Sequence, residues 1–150
     1  MPTPTNRDTV EAWARANEAR DEAAMRRLAH PDYVCDWPQT GERIHGIDDF
    51  LEIDRRYPGG LPETGVKRVS GTEDRFVLDG LMVPRRVTGS GDLWVAEVDV
   101  RYQDGSRWTL VSITELFDGQ VRHETQYFAP EEEAPAWRAD LTERIARPTT

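Results

Sequence analysis

The chain has 150 residues, of which 19 are Lys or Arg and 28 are Asp or Glu, giving a formal net charge of −9. Because phosphate binding needs a basic patch and none is visible, this charge argues against nucleic acid and against an anionic membrane surface as partners. The single cysteine excludes an internal disulfide, and no apolar run approaches the roughly 18 residues that span a bilayer. We therefore expect one soluble, cytoplasmic domain over residues 1–150.

The N-terminal third of the chain predicts three helices. Thr5 or Asn6 can cap the first helix, one face of which carries Trp13 together with polar Asn17. Pro31 ends a second, short helix, because proline lacks the N–H that a helix uses and restrains the residue before it. The predicted segments are a frayed leader over residues 1–5, a first helix directly after it, a second helix capped by Asp21 and ended at His30-Pro31, and a third over about residues 47–57.

Alternation of apolar and polar residues with a period of two predicts strands in the rest of the chain. Asp104-Gly105 and Asp118-Gly119 mark hairpin turns between the last three strands. Residues 131–150 are expected to form a helical extension that docks through Trp137 and Leu141. The predicted strands are 33–37, 66–69, 75–78, 94–102, 107–117 and the segment from Asp118-Gly119 to Phe128, with 81–87 left ambiguous by its proline.

The last strand carries the most unusual pattern. Its side chains alternate between two faces, so one face combines a positive charge, a carboxylate and an amide in consecutive places. If this face lines a cavity, it carries the chemistry of the protein; if it faces water, it is a solvated edge. Arg122, Glu124, Gln126 and Phe128 are predicted to share this face, and Val121, His123, Thr125 and Tyr127 the other.

Helices followed by a long antiparallel meander make an α+β fold. Four stretches of the sequence are characteristic: His30-Pro31-Asp32-Tyr33, Trp37-Pro38-Gln39-Thr40-Gly41-Glu42-Arg43-Ile44-His45-Gly46, Phe117-Asp118-Gly119 and Glu124-Thr125-Gln126-Tyr127-Phe128. In these stretches the chain resembles the SnoaL-like branch of the nuclear-transport-factor-2-like superfamily. The resemblance implies a cone-shaped α+β barrel, in which N-terminal helices pack on a strongly curved antiparallel sheet and enclose one pocket for a small ligand.

The resemblance also implies a homodimer formed through the sheet, whose open face carries Glu97, Asp99 and Arg101. Members of this branch include polyketide cyclases, ketosteroid isomerase, epoxide hydrolases, dehydratases and non-catalytic binding modules. The fold alone therefore does not decide the chemistry.

Carried over residue by residue, the resemblance preserves no single known site. Polyketide cyclases place an acid/base Asp on the last strand, where this chain has Gln126. Ketosteroid isomerase places its base just before the proline of the first strand, where this chain has Trp37. Asp36 is adjacent but faces the other way unless a bulge intervenes. Trp13 and Asn17 occupy the helix face that carries a tyrosine in the isomerase.

Glu124 is the acid/base candidate that remains, two residues before Gln126 and on the same face. In an apolar cavity, desolvation would raise its pKa toward neutrality, which suits general acid/base catalysis. The structural alternative is an ion pair with Arg122 or with an arginine on a neighbouring strand.

Five further residues are candidates for holding a substrate. Gln126 and Asn17 could orient a polar group, although Gln126 could instead form hydrogen bonds within the sheet. Trp13, Trp37 and Tyr33 could pack against rings of the substrate, or could belong to the ordinary core.

Two carboxylates have less certain roles. Asp36 could be a second base or a solvated strand carboxylate. Asp54, on the inner face of the third helix, could line the pocket or could pair with Arg55 or Arg101.

Three scattered histidines give no recognised ligand spacing, so no metal site is predicted. Cys35 is predicted to be a small buried residue.

The sequence therefore predicts a small-molecule enzyme without a metal or organic cofactor. It would catalyse proton transfer on a hydrophobic ring compound, by cyclisation, isomerisation, dehydration or epoxide opening. The alternative is a non-catalytic small-molecule binding module of the same fold.

Overall fold

The computed structural model describes residues 2–70, 74–76 and 87–145. These residues form three α-helices, eight strands and one turn of 3-10 helix. The helices are α1 (Asn6–Ala19), α2 (Glu22–Leu28) and α3 (Ile47–Arg55). The strands are β1 (Ala29–Trp37), β2 (Glu42–His45), β3 (Glu63–Ser70), β4 (Asp74–Phe76), β5 (Val87–Ser90), β6 (Leu93–Arg101), β7 (Arg107–Phe117) and β8 (Gln120–Pro130).

The helix starts follow the predicted caps. The Thr5 hydroxyl accepts a hydrogen bond from the Asp8 N–H at 3.2 Å, and the Asp8 carboxylate accepts one from the Thr5 N–H at 2.8 Å. This reciprocal pair is a capping box. Asp21 caps α2 with its carboxylate. Helix α2 ends at Leu28, earlier than predicted, because Ala29 already has extended backbone and pairs with β8.

The strands form one sheet in the order β2-β1-β8-β7-β6-β5-β4, and β3 pairs with β6 beside β5. Every pairing is antiparallel except that of β1 with β8, which is parallel. Among the described residues β2 and β4 do not pair with each other, so the sheet is open and is not a closed barrel. The predicted α+β class, with N-terminal helices packed on a sheet, is confirmed.

The strand predictions hold best where the alternation is longest. Strands β6 and β7 lie within one residue of the predicted ranges 94–102 and 107–117. Strand β4 covers the start of the range predicted at 75–78, and residues 77 and 78 lie outside the described part of the chain. Residues 81–86, part of the stretch 81–87 that the sequence left ambiguous, also lie outside the described part of the chain. Residue 87 is the first residue of β5.

Helix α1 contributes to both hydrophobic clusters that the described residues form. Val10 and Ala14 pack in one cluster with Trp94, Val98, Val100 and Leu116 of the sheet. Trp13 and Ala16 belong to the other. The remaining buried members of that second cluster are Ala24, Met25, Ala29, Tyr33, Cys35, Ile44, Phe50, Leu51 and Val121. Val10, Trp13 and Ala14 belong to these clusters and also line the cavity, so this face of α1 forms part of the cavity wall.

The predicted turn before β8 is confirmed, and Glu124, Gln126 and Phe128 share the inner face as predicted, but Val121 and Arg122 lie on the opposite faces from those predicted. Asp118 and Gly119 have φ angles of 50° and 73°, the left-handed pair that a two-residue hairpin requires. An irregularity in the β7–β8 register then follows, and both Val121 and Glu124 are buried. Arg122 therefore does not share a face with Glu124, and its guanidinium lies 4.8 Å from the centre of the Phe117 ring. The bulge adds one residue, which reverses the alternation before Glu124.

The prediction of a docked C-terminal helix is wrong for the described residues. Only a 3-10 turn over Ala136–Arg138 forms, and the side chains of Trp137 and Leu141 are 77% and 80% exposed. A short amphipathic helix is marginal in water unless its apolar face packs on something. In this chain Pro135 sets the backbone before the turn, and no described surface covers the two apolar side chains.

No helix in the described part of the chain is both long enough and apolar enough to cross a bilayer.

Candidate functional site

A cavity of about 450 Å³ lies between α1, α3 and the inner face of β6, β7 and β8. Its wall is mainly apolar because alternate residues of β6 and β7 point inward. Val98, Val100 and Leu110 are examples. Polar and charged side chains also line the cavity, and they define the chemistry that it can perform.

Glu124 lines the cavity and is 3% exposed. Its Oε1 atom accepts a hydrogen bond from the Tyr33 hydroxyl at 2.8 Å. Its Oε2 atom accepts from the Ser112 hydroxyl at 2.9 Å, from the Trp13 indole N–H at 3.2 Å and, more weakly, from the Thr114 hydroxyl at 3.4 Å. Oε1 thus has one donor and retains acceptor capacity, whereas Oε2 is fully used.

Burial raises the pKa of Glu124 above its ordinary value, and the hydrogen bonds from Tyr33, Ser112, Trp13 and Thr114 act in the opposite direction. No cation pairs with Glu124 among the described residues, so the predicted alternative of an ion pair with an arginine is wrong. Neutral dipoles stabilise a buried charge less than a counter-ion does. A carboxyl held in this way keeps its proton to a higher pH than an exposed carboxyl does.

Gln126 is oriented by Trp37. The Trp37 indole N–H, which can only donate, gives its hydrogen bond to Gln126 Oε1 at 2.9 Å. This contact fixes the amide so that its nitrogen is the free end, and the nitrogen has no protein partner among the described residues. Both side chains line the cavity. The arrangement presents an N–H donor to a ligand oxygen on the same strand as Glu124.

Asn17 also lines the cavity, from the last turn of α1. Its Nδ2 atom donates to the Trp13 carbonyl oxygen at 2.9 Å, which leaves Oδ1 as an acceptor. Trp13 both lines the cavity and donates to Glu124. The two residues predicted on one face of the first helix are therefore brought together with Glu124.

Asp54 projects into the same cavity from α3. Burial raises its pKa to about 6, while the charge of Arg20 acts to lower it. The predicted alternative partner Arg55 binds Glu22 and Glu52 instead. Among the described residues the Asp54 carboxylate has neither a hydrogen-bond partner nor an ion pair.

Tyr33 does not line the cavity, in contrast to the prediction. It is 1% exposed and lies behind Glu124, where it also contacts the Trp13 ring at a centroid distance of 5.9 Å. It therefore holds the carboxylate and does not contact a ligand. Burial and the neighbouring Glu124 charge raise the pKa of the Tyr33 hydroxyl, so it remains a donor.

Asp36 lies on the opposite face of β1 and does not reach the cavity. Arg43 Nε donates to its Oδ1 atom at 2.6 Å, and His123 Nε2 lies 2.9 Å from its Oδ2 atom. The hydrogen bond from Arg43 lowers the pKa of Asp36. A carboxyl held ionised by an arginine outside the pocket is a poor base for a bound substrate, which corrects the prediction of Asp36 as a catalytic residue.

Sequence reasoning missed two hydroxyls and an aromatic group at the site. Ser112 and Thr114 follow the alternation of β7 and face inward with Leu110, so the period-two pattern carried a signal for them. Tyr57 and Tyr102 stack at a centroid distance of 6.1 Å in the cavity wall. Their pairing joins the end of α3 to the end of β6, which a linear pattern does not show.

Cys35 is buried as predicted, and burial raises the pKa of its thiol. Within the described residues no three His, Cys, Asp or Glu side chains are arranged to hold a metal ion.

We expect the variant Tyr33→Phe to reduce stability by about 2 kcal/mol, because it removes a hydrogen bond to a buried carboxylate. It should also raise the pKa of Glu124 further, since the lost donor favoured the charged form. Urea denaturation at several pH values measures both effects. Tyr127→Phe is the matched control, because Tyr127 is 44% exposed on the outer face and should lose nothing. Equal stability of the two variants would contradict the assigned role of Tyr33.

Similar folds occur in several solved structures. An NTF2-like protein of unknown function from Burkholderia xenovorans LB400 is 32% identical, with a TM-score of 0.70 over 94% of this chain and 95% of that chain. A proposed ketosteroid isomerase from Kribbella flavida is 24% identical, with a TM-score of 0.71 over 95% and 90% of the two chains. IdmH, a proposed polyketide cyclase from Streptomyces antibioticus, is 15% identical, with a TM-score of 0.57 over 83% and 92%. No protein-family model and no curated protein matches the chain.

Proposed function

This chain belongs to the NTF2-like family, and we propose that it is a cofactor-independent enzyme that moves a proton on a hydrophobic ring compound. The observation that carries the proposal is the Glu124 carboxylate. It lines an apolar cavity, has no counter-ion among the described residues, and has a raised pKa. A carboxyl with a raised pKa accepts a proton more readily than an exposed one and can return it, as a general acid/base must.

The proposed step is the transfer of a proton next to a carbonyl group. Glu124 Oε1 takes the proton from the carbon, and the electron pair of the broken C–H bond moves toward the carbonyl oxygen, forming an enolate. The Gln126 amide N–H donates to that oxygen as its negative charge develops. Glu124 then returns the proton to carbon, either at the same position or at another. Isomerisation, cyclisation and dehydration share this first step.

The wall of the cavity favours a ring compound over a flexible polar one. Trp13, Trp37 and Phe128 offer aromatic surfaces to the ligand, and Trp37 and Phe128 meet edge to face at a centroid distance of 6.3 Å. Flat apolar ligands gain most from such walls. The proposed ketosteroid isomerase and the proposed cyclase among the similar structures support this class of substrate.

A second candidate function is small-molecule binding without catalysis. The observation in its favour is that four donors of the protein itself form hydrogen bonds to Glu124. Buried structural carboxylates are held in the same manner. In this case the cavity, with Gln126 and Asn17, would bind a ligand of the same kind and release it unchanged.

An exchange experiment separates the two functions. 1-Tetralone, a bicyclic ketone, is incubated with the protein in D₂O, and NMR follows the loss of its α-hydrogens while titration of tryptophan fluorescence follows binding. The enzyme should bind the ketone and exchange its α-hydrogens faster than buffer does. Saturable binding with exchange at the buffer rate would support the binding module and would contradict the enzyme.

We also propose that the protein forms a homodimer through the outer face of the sheet. Val111, Ile113 and Tyr127 lie on that face, on the two strands whose inner faces line the cavity. Light scattering coupled to size-exclusion chromatography should give twice the mass of one chain. The mass of a single chain at micromolar concentration would contradict the dimer.

A further inference from the structure

We infer that one part of the cavity wall is a subsite for a positively charged ammonium group, formed by Asp54 with the rings of Tyr57, Tyr102 and Trp108. The inference depends on the proposed function only in treating the cavity as a ligand site. It adds a chemical class to the ligand: a hydrophobic ring compound that also carries a quaternary or protonated nitrogen.

The first support is the placement of Asp54. Its side chain lines the cavity and has no hydrogen-bond or ion-pair partner among the described residues. Tyr57 follows one helical turn later, and its N–H donates to the Asp54 carbonyl oxygen at 3.3 Å. The two residues are therefore close in the backbone, and the side chains of both line the cavity. A partly buried carboxylate without a partner is costly unless a ligand supplies the opposite charge.

The second support is the geometry of the three rings. Tyr57 and Tyr102 stack with an interplanar angle of 25°, and Trp108 meets Tyr102 nearly at a right angle, 77°, with centroids 5.7 Å apart. All three line the cavity. Ring faces attract cations through their negative π-face, and groups of aromatic walls beside a carboxylate recognise quaternary ammonium ions. No arginine or lysine stacks on these rings among the described residues.

The third support is the balance of charge. Two carboxylates that line the cavity, Asp54 and Glu124, have no ion-pair partner among the described residues, against one guanidinium, that of Arg20. Arg20 donates to the Pro62 carbonyl oxygen and forms no ion pair with Asp54. Its charge opposes the effect of burial on Asp54 without cancelling it. An anionic ligand would be repelled, and a cationic ligand would offset the excess.

Two probes of the same shape test the inference. Benzyltrimethylammonium carries a fixed positive charge, and neopentylbenzene has carbon in place of the nitrogen. Binding of each is measured by tryptophan fluorescence, with the hydrocarbon added from a dilute co-solvent stock. The cation should bind about tenfold tighter or more, as a desolvated cation–π contact and a carboxylate together provide. Equal affinities, or no binding of the cation, would overturn the inference.

Four variants locate the preference. Asp54→Asn should reduce the preference for the cation several-fold, since only the rings remain to favour it, and Tyr102→Leu should also reduce it. Arg20→Asn should increase the preference, because a like charge is removed and asparagine tolerates the left-handed backbone of that position, with φ of 56°. Glu124→Gln should retain the preference. An unchanged preference in Asp54→Asn would overturn the inference.

The pH dependence gives an independent check. The cation does not titrate, so its affinity should rise as Asp54 ionises, between pH 5 and 7 given a pKa of about 6. The other charged groups that face Asp54 are Arg20, Glu18 and Glu22, and hydrogen bonding to Arg55 lowers the pKa of Glu22. In Asp54→Asn the pH dependence should vanish. Loss of ketone exchange together with an intact preference for the cation would reject the proposed enzyme and leave the subsite standing.

Discussion

The variant Glu124→Gln should bind 1-tetralone with nearly unchanged affinity and exchange its α-hydrogens about 100-fold more slowly, the lower end of what a positioned acid/base contributes. The amide keeps the shape of the carboxylate. Its oxygen can accept from Trp13 and its nitrogen can donate to the hydroxyls of Tyr33, Ser112 or Thr114, so the cavity should persist. What the variant lacks is an oxygen that takes a proton. NMR exchange rates and fluorescence titration on the same sample measure both quantities.

Asp36→Asn is the matched control, since it makes the same chemical change on the opposite face of the sheet, where Arg43 and His123 hold the carboxylate. It should exchange the ketone at the rate of the unmodified protein. The exchange rate of the unmodified protein should fall as pH is lowered, because Glu124 must be ionised to act as the base. Since burial raises its pKa, this loss should begin at a higher pH than for an exposed carboxyl. Undiminished exchange in Glu124→Gln would reject Glu124 as the base.

The relation between Glu124 and Gln126 could be predicted from the sequence, because both depend on local rules. A two-residue turn at Asp118-Gly119 starts the strand, and residues two apart on a strand share a face. The same alternation predicts which side chains of β6 face inward, namely Ala96, Val98 and Val100. Such features need no knowledge of distant parts of the chain, and they account for most of the fold that the sequence predicted.

The position of Arg122 shows where local rules fail. A bulge near the start of β8 places Val121 and Glu124 on the same side, although their positions differ by three, which in a regular strand puts side chains on opposite faces. Whether a strand bulges is decided by how it pairs with its neighbour, and the sequence pattern of one strand carries little signal for that. The expected Arg122–Glu124 pair failed for this reason.

The donors around Glu124 could not be predicted for a related reason. Tyr33 and Trp13 lie 91 and 111 residues away in sequence, and they reach the carboxylate only because β1 pairs with β8 and α1 packs across the sheet. The surroundings of Asp54 could not be predicted either. The sequence predicted the helix that carries it, but Asp54 does not pair with Arg55 because Arg55 binds Glu22 instead. Tertiary packing decides which of several available partners a charged side chain takes.

The variant Glu124→Leu should destabilise the protein by about 3 kcal/mol or more, in contrast to Glu124→Gln, whose stability should change by less than about 1 kcal/mol. Leucine fills a similar volume but accepts no hydrogen bond. The Trp13 indole N–H, which is a donor only, would be left unsatisfied in the interior, and the hydroxyls of Tyr33 and Ser112 would lose their acceptor. Each buried unsatisfied donor costs about 1–3 kcal/mol. Urea denaturation with a shared m-value measures the difference.

The comparison of these two variants separates structural from chemical roles at a single position. If leucine were as stable as glutamine, the four donors would not depend on an acceptor at residue 124, and the hydrogen bonds seen around it would carry little energy. If glutamine is stable and inactive while leucine is unstable, the fold needs an acceptor there but does not need a charge. The raised pKa of Glu124 then reflects a site in which the ionised carboxylate costs stability and serves the reaction. Because the pKa of Glu124 is higher in the folded than in the unfolded protein, the carboxyl lowers the stability of the folded protein as pH rises through that folded pKa and the group becomes ionised. At neutral pH, therefore, Glu124→Gln should be at least as stable as the unmodified protein.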